Sequence, residues 1–132
     1  IPDETIVVTG NPAIDALQMI SRQPAPPEAD ALLKKTGVIS GERRLVLVTA
    51  HRRENFGQPI RNICQALRLI AQNNRENLSL IYPVHLNPNI QQPVHEILSD
   101  VDNIHLLPPL DYRPLVHLMN HASVILTDSG GI

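Results

Sequence analysis

Four polar side chains that can bind or protonate an anion follow directly after an apolar segment. Residues 45–48 are all apolar, and two of them are β-branched, which is typical of a strand buried on both faces. The polar residues that follow are His51, Arg52, Arg53 and Asn55. Because open α/β sheets bind ligands at the carboxyl ends of their strands, we expect an anionic ligand at this point.

Within this cluster, His51 is the side chain best suited to proton transfer. An imidazole near phosphates has its protonated form stabilised, and it can then neutralise a leaving group or donate a proton. The alternative is a histidine that only caps a backbone end. The two arginines cannot point the same way from extended backbone, so we expect one to bind the anion and the other to pair with a carboxylate such as Glu54. The sequence does not distinguish which arginine does which.

A second polar cluster follows the predicted strand at residues 124–127. It begins with Asp128 and Ser129 and continues with two glycines, which let backbone N–H groups approach a phosphate closely. The alternative is an ordinary turn between a strand and a helix. His85 follows another apolar segment and is expected on the same rim of the sheet, although a histidine flanked by prolines also suits a structural role. Together the first two clusters predict a diphosphate held between two strand ends.

The other candidate residues favour structural roles. His117 and His121 lie four residues apart on a predicted helix, a spacing that can bind a metal, but no third ligand stands at a suitable distance. We therefore expect both to be exposed to solvent, and we predict no metal site. Cys64 lies on the apolar face of its predicted helix, which indicates packing rather than nucleophilic chemistry.

Five strands alternating with four helices are predicted to position these residues. The predicted strands are residues 6–9, 45–48, 78–82, 104–107 and 124–127. Residues 21–30 are rich in proline and are predicted to form a loop, followed by a helical turn at residues 31–36. Because βαβ connections are right-handed, the series predicts an α/β fold with a Rossmann-like parallel sheet and helices on both faces.

Composition restricts the class of protein further. Apolar residues make up 42% of the 132 residues and aromatic residues only 2%, which fits one domain with an aliphatic core. A net charge of −2 gives no general basic field, so nucleic acid is not an expected partner. No segment reaches the roughly 20 apolar residues that span a bilayer, and we expect a cytoplasmic protein without a membrane partner. The chain ends inside a motif, which suggests a fragment of a longer protein.

Four motifs carry a family resemblance. They are Thr-Gly-Asn at residues 9–11, Thr-Ala-His-Arg-Arg-Glu-Asn at 49–55, Tyr-Pro-Val-His-Leu-Asn-Pro at 82–88, and Thr-Asp-Ser-Gly-Gly at 127–131. In order and spacing they resemble the bacterial, non-hydrolysing UDP-N-acetylglucosamine 2-epimerases over essentially the whole chain. The resemblance implies that residues 1–132 are part of the C-terminal, nucleotide-sugar-binding half of a GT-B fold. It also implies an N-terminal domain that this chain lacks.

The activity implied by the resemblance is the interconversion of UDP-GlcNAc and UDP-ManNAc by elimination and re-addition of UDP, in the cytoplasm and for cell-envelope polysaccharides. The resemblance implies no cofactor and a homodimeric full-length protein. The acidic residues that handle the C2 proton lie in the family's N-terminal domain, so this chain alone is expected to be inactive.

The resemblance also implies roles for single residues. His51 is expected to be catalytic near the diphosphate, whereas Arg52 and His85 are expected to contact a second, activating UDP-GlcNAc. The region from Pro108 to Leu115 is expected to line the uracil. The residues implied to bind the UDP group of the substrate are Ser129, Gly130, Gly131 and Leu115.

Three other functions remain compatible with the sequence. A GT-B glycosyltransferase shares the same donor-binding domain but needs an acceptor. A non-catalytic nucleotide-sugar-binding module would bind UDP without turnover. A hydrolysing epimerase would release free ManNAc and UDP.

Overall fold

The computed structural model describes residues 1–130, and within them a parallel four-stranded sheet forms the centre of the fold. The strands are β1 (Arg44–Thr49), β2 (Leu78–Pro83), β3 (Ile104–Leu107) and β4 (Ala122–Thr127). Their order across the sheet is β3-β2-β1-β4, with every neighbouring pair parallel. From β1 the chain adds β2 and β3 on one side and then β4 on the other side. Parallel sheets bind ligands at the point where the strand order reverses in this way, here between β1 and β4.

Helices cover both faces of this sheet, as predicted. They are α1 (Pro12–Ser21), α2 (Pro27–Lys35), α3 (Gln58–Asn73), α4 (Pro88–Leu98) and α5 (Tyr112–His121). Helices α3 and α4 contribute to one core cluster, and α2 and α5 contribute to the other, while α1 packs against α5. Asn11 and Asn87 cap α1 and α4 by accepting hydrogen bonds from the N–H groups of Ala13 and Asn89, so these caps determine where the two helices begin.

The alternation of side chains along β1 explains why this strand is central. Val46 and Val48 point into the cluster with α3 and α4, whereas Leu45 and Leu47 point into the cluster with α2 and α5. All four residues are buried. The prediction of a strand buried on both faces is therefore confirmed, and the residues that follow it leave the core at the carboxyl edge of the sheet.

The predicted strand at residues 6–9 is wrong. This segment has no strand assignment, and Ile6, Val7 and Val8 are 60%, 75% and 93% exposed. An apolar run becomes a strand only where a neighbouring strand accepts its backbone hydrogen bonds, and none of the residues 1–130 pairs with it.

Two further sequence-based details need correction. Helix α2 begins at Pro27, inside the predicted loop, because the first position of a helix has no need of the N–H that proline lacks. His117 is only partly exposed, and its Nε2 is buried without a hydrogen-bond partner among the described residues. Burial, and then the charge of nearby His121, lower the pKa of His117.

Cys64 is fully buried in the α3 core, and this gives a testable chemical consequence. Burial raises the pKa of its thiol to about 11 from 9.0, which lowers the thiolate fraction at neutral pH about 100-fold. We expect iodoacetamide to alkylate native protein at pH 7.5 at least ~100-fold more slowly than urea-unfolded protein, as followed by mass spectrometry. Equal rates in the two states would show that Cys64 is accessible.

Candidate functional site

The carboxyl ends of β1 and β4 lie side by side on the rim where the sequence predicted both strand ends. Thr49 of β1 is in register with Thr127 of β4, and the Thr127 hydroxyl donates to the Thr49 carbonyl at 3.4 Å. The Ser129 N–H in turn donates to the Thr127 Oγ1 at 3.0 Å. The turn that starts at Ser129 therefore lies beside the loop that carries His51, on one rim of the sheet.

A carboxylate joins these two strand ends. Oδ2 of Asp128 accepts hydrogen bonds from the N–H of His51 at 2.9 Å, the N–H of Arg52 at 2.8 Å and Nδ2 of Asn55 at 2.8 Å. The other oxygen, Oδ1, is buried and has no hydrogen-bond partner among the described residues. The Asp128 side chain, directly after β4, thus connects to three residues of the loop that follows β1.

The hydrogen bonds also decide the ionisation of this carboxyl group. Partial burial alone would raise the pKa of Asp128, but the donors on Arg52, Asn55 and His51 outweigh it and hold the pKa below its usual value. A lowered folded-state pKa stabilises the fold above the usual pKa of aspartate. That contribution is lost as the pH falls through the lowered value. At neutral pH the carboxylate is therefore ionised and keeps its hydrogen bonds to residues 51–55.

The imidazole rings of His51 and His85 are stacked in parallel. Their centroids are 5.5 Å apart and their planes differ by 7°. Nδ1 of His85 accepts a hydrogen bond from the Asn87 N–H at 3.1 Å, which assigns the ring proton of neutral His85 to Nε2. The structure therefore brings together two histidines from the ends of β1 and β2, both of which the sequence placed on the ligand rim.

A basic cleft of about 420 Å³ opens beside this histidine pair. Its lining residues are His51, Arg52, Arg53, Glu54, Phe56, His85 and Asn87. Arg52 pairs with Glu54 at 3.3 Å, and both side chains are more than half exposed, so this ion pair contributes little stability. Among residues 1–130, Arg53 has no ion pair with a carboxylate. Arg52 is therefore the arginine that pairs with Glu54 in this structure, and which of the two arginines binds an anion stays a prediction.

A smaller apolar cleft, of about 190 Å³, borders the same two histidines. Its lining residues are Thr49, His51, Pro83, His85, Pro109, Leu110 and Leu115. Leu115, from the first half of α5, therefore lies in one cleft with His51, as a base-binding residue should relative to a diphosphate site. Its contact with uracil stays a prediction.

The glycine turn is described only in part. A Cβ at Gly130 would meet nothing within 4 Å, so packing within the described residues does not require glycine here. Close approach of a phosphate and an ordinary turn between a strand and a helix are the two reasons that the sequence offers for it. Gly131, the other predicted diphosphate ligand, lies outside the described residues.

The sequence did not predict the roles of Asp128, Asn55 and Tyr82. Tyr82 is fully buried, and its hydroxyl donates to the carbonyl of Ala50, directly before His51. Burial is the main cause of the raised pKa of Tyr82, so this hydroxyl stays a donor. The only sequence signals were a carboxylate immediately after one strand and a tyrosine near the end of another, and neither shows which loop it contacts.

No cluster of three or more metal-binding side chains occurs within residues 1–130. His117 and His121 have ring centroids 4.6 Å apart with tilted planes, but none of the described residues joins them as a third ligand. None of the helices in the described part of the chain is long and apolar enough to span a bilayer.

Comparison with known proteins identifies similar chains. Residues 1–132 match the family model described as UDP-N-acetylglucosamine 2-epimerase. The UDP-N-acetylglucosamine 2-epimerase of Salmonella typhimurium is 49% identical over 134 residues, which cover 100% of this chain and 35% of the relative. The chain therefore spans about a third of the length of the curated relatives it matches.

Solved structures agree in fold. UDP-GlcNAc 2-epimerase from Neisseria meningitidis, bound to UDP-GlcNAc, has a TM-score of 0.83 at 37% identity, with 100% of this chain and 36% of that chain covered. The S. aureus MnaA structure with UDP has a TM-score of 0.86 at 36% identity, with 100% and 33% covered. The sheet and helices described above thus match part of a Rossmann-like GT-B fold.

Proposed function

The chain belongs to the UDP-N-acetylglucosamine 2-epimerase family, and from this membership we propose that it is the C-terminal, UDP-binding part of an enzyme that interconverts UDP-GlcNAc and UDP-ManNAc. The N-terminal domain would be supplied by the rest of a longer protein, since the relatives are about three times as long. Two structurally similar relatives were solved with UDP-GlcNAc or UDP, which supports a nucleotide-sugar ligand for this domain.

The observation that carries the proposal is that the carboxyl ends of β1 and β4 are joined by hydrogen bonds on one rim of the sheet. The Asp128 hydrogen bonds hold the His51 loop beside the turn that begins at Ser129. A diphosphate bound at this turn, by the residues that the resemblance implies (Ser129, Gly130 and Gly131), would lie next to His51. Fixed donors of this kind suit an anion that does not change position during the reaction.

The proposed chemistry begins with removal of the proton at C2 of the sugar by a base outside this chain. The C1–O bond to UDP then breaks, and the electron pair leaves with the diphosphate, giving 2-acetamidoglucal and UDP. Negative charge grows on the leaving diphosphate, and a protonated His51 together with the backbone donors stabilises it. Re-addition of UDP with protonation on the other face of C2 gives the epimer.

The same rim offers separate places for the parts of the nucleotide. The apolar cleft with Leu115 suits a uracil ring, because the flat faces of a base pack against aliphatic side chains. The basic cleft with Arg53 suits a second anionic ligand, and we assign the predicted contacts of Arg52 and His85 with an activating UDP-GlcNAc to it. A cytoplasmic location, a role in cell-envelope polysaccharide synthesis and a homodimeric full-length protein complete the proposal.

The complete protein that carries this chain should convert UDP-GlcNAc in D2O into a mixture with UDP-ManNAc. Both sugars should acquire deuterium at C2, as measured by NMR, because the C2 proton is exchanged with solvent in each turnover. No acceptor should be needed. Transfer of the sugar only when an acceptor is added would indicate a glycosyltransferase, and net release of ManNAc and UDP would indicate a hydrolysing enzyme. UDP binding without any exchange would indicate a binding module.

A further inference from the structure

The environment of Asp128 is unusual for an anionic side chain. It lies directly before the turn proposed to bind a diphosphate, where a second negative charge should weaken binding. The carboxylate does not face solvent freely, because Oδ2 accepts three hydrogen bonds and Oδ1 is buried. Three donors on one oxygen offset much of its charge toward a neighbouring anion.

All three donors come from one loop. The N–H groups of His51 and Arg52 and the amide of Asn55 converge on Asp128, although 73 to 77 residues separate them from it along the chain. Asn55 also ends the short 3₁₀ turn Arg53–Asn55. Hydrogen bonds to a charged acceptor are about twice as strong as those between neutral groups, so this carboxylate fixes the backbone from which the His51 imidazole projects.

We infer that Asp128 is a positioning residue for the reaction, which holds His51 in place through the backbone of residues 51–55 and couples this loop to the diphosphate-binding turn. The inference rests on the function proposed above, since it gives the loop a catalytic purpose. Asn55 completes the arrangement as the side-chain partner of Asp128. Neither residue needs to contact the substrate.

The test compares three variants of the complete protein. Asp128→Asn keeps the size of the side chain and an acceptor oxygen but removes the charge, and we expect kcat to fall about 30-fold with less than a threefold change in the Kd of UDP. Asn55→Asp places a second carboxylate against the first and should lower kcat about 100-fold. The exchanged pair, Asp128→Asn with Asn55→Asp, relieves the repulsion but leaves the N–H groups of His51 and Arg52 without a charged acceptor, so its kcat should equal that of Asp128→Asn, about threefold above that of Asn55→Asp.

Amide hydrogen exchange provides a readout that does not depend on activity. In Asp128→Asn, the amides of His51 and Arg52 should exchange about 30-fold faster than in the wild type, because they lose their charged acceptor. Asp102→Asn is the matched control, because Asp102 pairs with Arg75 at the amino-terminal edge of the sheet. Neither kcat nor these two exchange rates should change in the control.

Several results would overturn the inference. These are unchanged kcat and exchange in Asp128→Asn, an exchanged pair whose kcat returns to that of the wild type, or a loss of UDP affinity as large as the loss of kcat. If Asp128→Asn does not fold, Asn55→Ala removes a single donor and should lower kcat about fivefold; an unchanged kcat there contradicts the inference. A wild-type protein that does not turn over UDP-GlcNAc refutes the proposed function, while the exchange rates still decide whether Asp128 holds the loop.

Discussion

Replacement of His51 by asparagine should lower the rate of C2 deuterium exchange in the complete protein about 1,000-fold. A positioned general acid or base typically contributes 10²- to 10⁴-fold, and asparagine cannot carry the positive charge that stabilises the leaving diphosphate. UDP affinity should fall less than about fivefold, because His51 is one of several groups in the proposed nucleotide site. NMR of UDP-GlcNAc in D2O measures the exchange, and isothermal titration calorimetry measures the Kd of UDP.

His95→Asn is the matched control for this prediction. The same substitution of histidine by asparagine is made at His95, which lies on the exposed side of α4, away from the rim that carries His51. Its substitution should leave the exchange rate within twofold of the wild type. Exchange that is undiminished in His51→Asn would remove His51 from the mechanism, and equal losses of rate and UDP affinity would assign it a binding role only.

Replacement of Leu47 by alanine should destabilise the fold by about 2–5 kcal/mol, the range for fully buried leucines that leave a cavity. Leu47 lies in the centre of β1 and belongs to a fully buried cluster with Leu33, Leu45, Ile81 and Leu118. Because α2 and α5 pack from one side and β1 is paired on both edges, the surroundings have little room to collapse into the space. Native-state hydrogen exchange of the β1 amides gives the free energy of opening.

Leu69→Ala provides the comparison for Leu47. Leu69 lies on α3 and is 60% exposed, so its truncation should cost less than about 0.5 kcal/mol in the same measurement. A cost below about 1 kcal/mol for Leu47→Ala would contradict the assignment of β1 as the centre of the core.

Most of the sheet was predictable because its strands are short apolar runs with clear ends. The predicted segments at residues 45–48, 78–82, 104–107 and 124–127 all lie within strands of the structure. Residues 6–9 have the same apolar character, yet they stay outside the sheet. The local pattern of apolar residues indicates whether a segment can be extended and buried. A strand also needs a neighbouring strand that pairs with its backbone N–H and C=O groups, and the local pattern does not identify that neighbour.

The site shows the same limit at the level of side chains. The sequence placed His51 and the turn at Ser129 on one rim, because the carboxyl ends of parallel strands share an edge. It did not show that the strand carrying Asp128 is the direct neighbour of β1, since strand order depends on the whole topology. The hydrogen bonds between Asp128 and residues 51–55 therefore appear only when the sheet is assembled.

The stacked rings of His51 and His85 form a boundary shared by two cavities. Both residues line the basic cleft and the apolar cleft, so any substitution at either position reshapes both spaces at once. Substitutions at these histidines should accordingly affect both the proposed base site and the proposed site for a second anion. Arg53 and Leu115 each border only one of the two clefts, and they are the positions at which evolution or engineering can tune one function independently of the other.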